Sequence, residues 1–166
     1  VYVSHRTGVD YGDGFYHRET DFGPVILRSE RFVSMAESHL LCDRLIIICH
    51  EDGELEIRTG VSTDIWDING PHLFDFRFQR GEVLTAQAVT GQKGIRVASA
   101  QCVQADFDAQ ESFVQNDQGV FRVLRRQVKA GETLQVDLIG AVYTSLDTPD
   151  PEEAARSLCV SMKAQG

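Results

Sequence analysis

The sequence predicts an all-β protein, an antiparallel sandwich followed by a short C-terminal helix. Strand-like segments with alternating or continuous apolar residues recur through most of the chain, and short turns rich in Gly, Asp and Asn separate them. Repeated strands joined by hairpin turns are typical of antiparallel sandwiches. Only the last segment places its apolar residues at helical spacing.

The first third of the chain predicts four strands. Val1–Thr7 and Phe15–Thr20 are short strand-like segments on either side of Gly8–Gly14, whose Gly and Asp content is typical of a turn. Val25–Ser34 alternates loosely between apolar and polar residues. Leu40–Cys49 is apolar at most positions of both parities, which indicates a strand buried on both faces in the middle of the sandwich.

A hairpin is expected directly after that buried strand. The Asp-Gly dipeptide at 52–53 is typical of hairpin turns, and Glu54–Thr59 then alternates cleanly, with its two aliphatic side chains inward. His72–Phe78 alternates again, which places His72 and its three Phe residues on one face. Four further strands are expected at Glu82–Thr90, Gly94–Phe107, Gly119–Lys129 and Thr133–Ser145.

The helix has a recognisable start. Asp150 suits the N-cap, Pro151 suits the first helical position, and Glu153 places a carboxylate in the first turn. One face of the helix then carries the apolar residues Ala155, Leu158, Cys159 and Met162.

Composition restricts the class of partner and the compartment. The 166 residues carry a formal net charge of −9, which disfavours nucleic acid and membrane surfaces as partners. The apolar runs are too short to span a bilayer, and no stretch resembles a secretory signal. The four cysteines are scattered and form no zinc-binding pattern, so we expect reduced thiols in a cytoplasmic protein.

Residues 1–166 are expected to form a single sandwich domain. No repeat, low-complexity tract or long linker divides the chain. The chain opens with Val1 inside a strand-like segment, so we interpret it as an excised fragment of a longer protein; a processed mature chain is the alternative.

Recognisable catalytic motifs are missing from the sequence. It contains neither a G-x-S-x-G nucleophile elbow nor a phosphate-binding loop. The spacing of His39, His50 and His72 does not indicate a metal site, and carboxylate pairs for glycoside chemistry are not recognisable by spacing. We therefore predict no catalytic residue, no metal and no cofactor.

A weak candidate for carbohydrate binding is the turn-rich stretch around the single tryptophan. Trp66 is followed by Asp67 and Asn69, and a flat aromatic ring beside such polar groups suits a sugar ring. His72, next to the aromatic face, is a further candidate contact. The alternative is that Trp66 covers the edge of the core and that His72 is a core or interface residue.

Arg31 is a candidate structural residue. Its parity with Ser29 and Val33 predicts an inward side chain, and a buried guanidinium needs a carboxylate partner. Candidate partners on adjoining segments are Glu30, Glu37 and Asp43.

The segment containing this arginine resembles the N-terminal domain of glycoside hydrolase family 65, which includes maltose, kojibiose and trehalose phosphorylases and acid trehalases. The resemblance depends on the motif Ser-Glu-Arg-Phe-Val-Ser with its flanking arginine, a short acidic turn, a histidine and a long strand. The strand Gly53–Gly60 extends it, whereas Ser62 and Asp67 depart from the expected Asp and Asn. The motif residues are Arg28, Glu30, Arg31, Ser34 and His39.

The resemblance implies a β-super-sandwich akin to the galactose-mutarotase fold, packed against a separate (α/α)₆ barrel that holds the catalytic glutamate and the phosphate site. No barrel sequence occurs here, so no catalytic residue carries over. The implied partners are the parent's helical barrel, α-linked glucose disaccharides and a second copy of the parent in a homodimer. Inorganic phosphate would be a substrate of the parent rather than a cofactor.

Our leading hypothesis is a non-catalytic N-terminal domain of an α-glucoside phosphorylase or hydrolase, which supports the barrel, shapes the approach to the active site and helps dimerisation. A free-standing carbohydrate-binding module and a mutarotase-like aldose epimerase are the alternatives. The epimerase would need His72 or His39 and a carboxylate as general acid and base.

Overall fold

Eleven β-strands and one helix make up the part of the chain that the computed structural model describes, residues 2–64 and 68–165. The elements are β1 Ser4–Asp10, β2 Phe15–Asp21, β3 Val25–Val33, β4 Leu40–Cys49, β5 Gly53–Ser62, β6 Leu73–Gln79, β7 Leu84–Thr90, β8 Arg96–Ala105, β9 Gln110–Asn116, β10 Gly119–Val128, β11 Thr133–Thr144 and α1 Pro151–Gln165.

The strands form two sheets. An eight-stranded sheet has the order β1-β2-β3-β4-β11-β8-β7-β6, and a three-stranded sheet has the order β5-β10-β9. Neighbouring strands pair antiparallel from β1 to β4 and from β6 to β8. The predicted all-β antiparallel fold with a C-terminal helix is therefore confirmed.

The residues divide into two compact units. The first contains Val1–Ile57, Val103–Gln110 and Leu124–Leu138, and the second contains Arg58–Cys102, Glu111–Val123 and Ile139–Gly166.

Both sheets contribute to the hydrophobic core of the first unit. Ile47 and Cys49 of β4 pack with Leu124 and Val128 of β10, and Leu55 of β5 packs against this cluster. Because each of these side chains leaves water by contacting the other sheet, burial of apolar surface holds the two layers together here.

Most predicted strand boundaries agree with the structure to within two residues. The strand predicted at Glu54–Thr59 ends later, at Ser62. The first strand also differs: it runs to Asp10, because its pairing with Phe15 of β2 extends into the Gly-containing segment and leaves only 11–14 as the turn. The polar strand β9 was missed, since no buried apolar face marks it in the sequence.

The expected hairpin after β4 is wrong. β4 lies in the eight-stranded sheet, whereas β5 lies in the three-stranded sheet. Asp52 instead caps the turn before β11: its carboxylate accepts hydrogen bonds from the Ala130 backbone N–H at 2.9 Å and the Lys129 Nζ at 2.8 Å. The Asp-Gly dipeptide therefore directs the chain between layers rather than back along the same sheet.

The expected four-residue aromatic face of β6 is also wrong. Phe74 pairs with Val89, but Phe78 pairs with Ala86, so one extra residue lies between them. Asp75 adopts a φ of 55°, which marks this β-bulge. Since a one-residue shift exchanges the faces of a strand, Phe74 lies on the opposite face from Phe78. The Phe76 and Phe78 rings are stacked, with centroids 6.3 Å apart.

The helix agrees with the prediction. The Asp150 side chain accepts a hydrogen bond from the Glu153 backbone N–H at 3.2 Å, and Pro151 is the first helical residue. Ala155 and Cys159 are fully buried on the face that was expected to be apolar. The Glu152 carboxylate accepts hydrogen bonds from Thr85 Oγ1 and Gln87 Nε2 of β7, which ties the helix to the sheet within the second unit.

None of the described helices has the length and apolar content needed to cross a membrane. All four cysteines lie in described residues, and no disulfide joins them. Burial raises the pKa of the Cys49 thiol. The hydrogen bond with Cys102 and then burial raise the pKa of Cys159.

Candidate functional site

An open groove of about 600 Å³ lies at one end of the β6–β7 pair in the second unit. The segment before β6, the start of β6 and the β7–β8 turn surround it. Its lining residues are Asn69, Pro71, His72, Phe74, Thr90, Gly91, Gln92, Lys93 and Ile95. We call this the β6–β8 groove.

Backbone hydrogen bonds shape the groove. The Thr90 N–H donates to the Ile95 carbonyl at 2.9 Å, and the Gly94 N–H donates to the Thr90 carbonyl at 3.0 Å, which closes the β7–β8 turn. The Gly91 N–H donates to the His72 carbonyl at 3.0 Å and so attaches this turn to the segment before β6. Gly94 has a φ of +62°, a conformation that glycine adopts without steric cost.

An aromatic ring forms one wall of the groove. The Phe74 side chain lies against Gly91, where a Cβ atom would stand only 2.6 Å from Phe74 Cε2. Only glycine therefore allows the ring to lie this close to the turn. Phe74 keeps 44% of its surface exposed. An exposed, positioned ring beside amide, imidazole and ammonium groups suits the apolar face and hydroxyl groups of a sugar.

The structure brings two of the four predicted carbohydrate contacts together. Asn69 and His72 both line the β6–β8 groove. Trp66 and Asp67 lie outside the described residues. Sequence reasoning missed the contact between Phe74 and Gly91, because the bulge that brings Phe74 to this face leaves no periodic signal. The predicted turn at Gly91–Gly94 was the one sequence feature that could have indicated this contact.

The motif residues of the first unit have structural contacts. Ser34 Oγ accepts a hydrogen bond from the Glu37 N–H at 3.0 Å, and Glu37 Oε1 accepts one from the His39 N–H at 3.2 Å. These bonds shape the turn between β3 and β4. Arg31 donates from Nε and Nη2 to Asp43 Oδ2, at 3.0 and 2.5 Å. Asp43 was one of the three anticipated partners.

The expected inward burial of Arg31 is wrong, since 55% of its side chain is exposed. The parity argument placed it on the core-facing side of β3 correctly, but that side is covered only over the first part of the strand. Its partner Asp43 is the buried member of the pair, with 8% of its side chain exposed.

Arg28 belongs to a charged row across β1, β2 and β3. Glu19 accepts hydrogen bonds from Arg6 and Arg28, each at 2.6 Å, and the register places the three residues side by side. In the neighbouring row, Glu30 lies 3.7 Å from His17 Nδ1. These groups surround a shallow groove of about 340 Å³, in which one carboxylate, that of Glu19, binds two guanidinium groups.

Ion pairing shifts the acidity of two carboxyl groups. The Arg28 guanidinium, followed by that of Arg6, holds the pKa of Glu19 below its ordinary value. The Lys129 ammonium and then the Ala130 N–H lower the pKa of Asp52. A general acid for glycoside hydrolysis requires the opposite shift. Within residues 2–64 and 68–165, His, Cys, Asp and Glu side chains form no group of three suited to a metal ion.

Residues 2–166 match the family model described as glycosyl hydrolase family 65, N-terminal domain. The chain belongs to this family. It is 26% identical to nigerose phosphorylase from Lachnoclostridium phytofermentans, a match that covers 98% of this chain and 25% of that protein. It is also 26% identical to 1,2-alpha-glucosylglycerol phosphorylase from Bacillus selenitireducens, with 79% of this chain and 17% of that protein covered.

A solved structure shares the fold of this family 65 domain. A putative kojibiose phosphorylase from human microbiome superposes with a TM-score of 0.80 over 98% of this chain and 22% of its own, at 10% identity. This chain therefore spans about a quarter or less of the length of each of these three proteins. The agreement confirms the resemblance to family 65 that the Ser-Glu-Arg-Phe-Val-Ser motif indicated.

The contact between Phe74 and Gly91 predicts a coupled effect on stability. Gly91→Ala should lower the free energy of unfolding by about 0.5–1.5 kcal/mol, because the new methyl group forces the half-exposed Phe74 ring to rotate away from its present position. In a Phe74→Ala background the same change should cost close to nothing. Urea unfolding of the two single variants and the double variant measures the coupling. Gly53→Ala, which has open space around its Cβ position, is the control. An equal cost in both backgrounds would contradict the packing.

The Glu19 ion pairs predict a pH dependence. A carboxyl group whose pKa is lower in the folded chain favours folding above its unfolded pKa, and this contribution is lost as the pH falls through the folded pKa. Below about pH 4.5, the ordinary value for Glu, the native melting temperature should therefore fall more steeply than that of Glu19→Gln. Melting curves between pH 7 and 3 measure this. The exposed Glu51→Gln should follow the native curve, and parallel native and Glu19→Gln curves would refute the assignment.

Proposed function

We propose that this chain is the non-catalytic N-terminal sandwich domain of an α-glucoside phosphorylase. The family match over residues 2–166 carries the proposal, since the two curated relatives are phosphorylases several times longer than this chain. In this role the domain supports the catalytic helical barrel of the parent chain and shapes the approach to its active site. The substrates of the parent are α-linked glucose disaccharides and inorganic phosphate.

We extend the proposal to the assembly and location of the parent. The domain contributes to a homodimer of the parent, as the sequence resemblance implied. The four cysteines without disulfides support a reducing compartment, the cytoplasm. The residues of the Ser-Glu-Arg-Phe-Val-Ser motif have a structural role, because their contacts shape the β3–β4 turn and form a cross-strand ion pair.

The test is a comparison of the parent polypeptide with the 166-residue chain. The parent should consume an α-linked glucose disaccharide in a phosphate-dependent reaction, and the chain alone should show no turnover. The panel contains the disaccharides nigerose, kojibiose and maltose, and the non-disaccharide glucoside glucosylglycerol, each with and without phosphate. Turnover by the 166-residue chain alone would refute the non-catalytic role, and phosphate-independent cleavage by the parent would make it a hydrolase.

The β6–β8 groove supports a second function, the binding of gluco-oligosaccharides by the domain itself. Phe74, His72 and Asn69 combine an exposed ring with polar groups around an open cleft. Trp66 and Asp67, the other two contacts predicted from the sequence, precede Asn69 in the chain. Bound in this way, a sugar would be held at the domain surface without being cleaved.

Titration of the chain with maltose and longer gluco-oligosaccharides tests this second function. The fluorescence of Trp66, the single tryptophan, should change with a millimolar midpoint, and Phe74→Ala should weaken binding by about tenfold through loss of the ring contact. Phe76→Ala, which removes a similarly exposed ring elsewhere on β6, should leave the midpoint unchanged. A flat titration, or equal effects of the two substitutions, would exclude the groove as a sugar site.

A further inference from the structure

The core-facing side of β3 and β4 continues beyond the hydrophobic core of the first unit. Val25 and Leu27 of β3 and Ile47 and Cys49 of β4 belong to that core. Side chains two residues apart share a face of a strand. The same face therefore runs on through Arg31 and Val33 of β3 and through Asp43 and Leu41 of β4.

The far part of this face exposes large apolar side chains. Val33 and Leu41 are direct cross-strand partners and are 67% and 37% exposed. Val9 of β1 lies on the same face, in the row that leads through Tyr16 to Arg31, and is 52% exposed. The adjoining turns add Tyr11 and Met35, which are almost completely exposed. We call Val9, Val33, Leu41 and the Arg31–Asp43 pair the open core face.

A buried acceptor lies within the open core face. Asp43 is 6% exposed, and its Oδ2 accepts both hydrogen bonds from Arg31. Its Oδ1 is buried and meets no hydrogen-bond donor in the described part of the chain. A buried carboxylate oxygen without a donor is unfavourable, and a rotation of the Asp43 carboxylate toward the open core face would let it accept a hydrogen bond from an N–H or O–H group outside these residues.

The exposed aliphatic side chains and Asp43 together indicate which kind of group binds to the open core face. Aliphatic side chains that continue a protein core require apolar side chains opposite them. Asp43 requires one hydrogen-bond donor among them. A free sugar or a phosphate ion does not meet the first requirement, whereas a polypeptide segment with alternating apolar and polar residues meets both.

Charge and chain length distinguish the two polypeptide sources. A second copy of this chain bound at this face would bring together two molecules of net charge −9, which opposes self-association here, so the homodimer proposed for the parent would use another surface. The matched phosphorylases carry at least three-quarters of their length outside the region that this chain covers. A segment of the same polypeptide also binds at a high effective concentration.

We propose that the open core face binds a β-strand from the remainder of the parent polypeptide. This segment packs apolar side chains on Val33, Leu41 and Val9 and donates a hydrogen bond to Asp43 Oδ1. It extends the core of the first unit beyond the limit of the Ile47–Leu124 cluster. The proposal requires that the parent is longer than this chain, but it does not depend on which reaction the parent catalyses.

Cysteine labelling of the parent polypeptide tests whether the open core face is covered. Val33→Cys and, separately, Leu41→Cys are treated with a maleimide under native conditions and in urea, and modification is quantified by mass spectrometry at each site. If a β-strand covers the open core face, the cysteine at position 33 or 41 should be labelled at least about tenfold more slowly in the native protein than in the unfolded protein. Val160→Cys on α1, where the native residue is 47% exposed, is the control for a site outside the face. It should label at close to the unfolded rate.

The outcomes separate the alternatives. Less than tenfold protection at position 33 in a protein with native circular dichroism overturns the proposal, and Leu41→Cys decides the case if Val33→Cys does not fold. Protection that is lost on dilution to the monomer would identify a second copy as the occupant and would also overturn it. Because labelling is measured without substrate, an inactive parent leaves this result interpretable, and loss of the proposed function is seen separately in the disaccharide assay.

Discussion

The junction that follows β4 is the constraint on which the layered structure of the first unit depends. The Cys49 N–H donates to the Glu132 carbonyl and the Gly131 N–H donates to the Cys49 carbonyl, at 2.9 and 2.8 Å. Asp52 then caps the same turn through Ala130. These bonds attach the end of the most apolar strand to the turn before β11, so that β5 leaves for the other sheet. This change of layer brings Leu55 of β5 against the apolar face of β4, which also packs on Leu124 and Val128 of β10.

The two units place their ion pairs differently: the first has ion pairs on the surface of its sheet, and the second has a buried arginine. In the first unit, the start of β3 and the end of β4 contribute to the core, and Glu19 of β2 forms ion pairs with Arg6 of β1 and Arg28 of β3. In the second unit, Arg122 is buried and binds the Glu111 carboxylate and the Gly81 and Glu82 carbonyls. Acceptors for both terminal nitrogens replace water around this buried guanidinium, while its Nε meets no acceptor in the described part of the chain.

The chemistry of the molecule is consistent with a supporting and binding role. The carboxyl groups with shifted acidity are held ionised by cationic partners, and the recognisable family motif builds a turn and cross-strand pairs. The features without a purely internal explanation are the β6–β8 groove and the open core face. We propose a gluco-oligosaccharide as the ligand of the β6–β8 groove and a polypeptide segment as the partner of the open core face.

The sequence alone determined the class of fold, most strand boundaries, the helix with its Asp150 cap, and membership of the family. The fold class, the boundaries and the helix depend on alternation, turn chemistry and capping in consecutive residues, whereas the family was indicated by the resemblance of the Ser-Glu-Arg-Phe-Val-Ser motif. Tertiary structure decided the rest. The Asp-Gly dipeptide at 52–53 was compatible with a hairpin, but the bonds of Asp52 to a distant turn directed it between sheets. The bulge at Asp75 moved Phe74 onto Gly91, and coverage of β3 over only part of its length left Arg31 exposed. Each outcome depends on a partner far away in the chain, which no local pattern encodes.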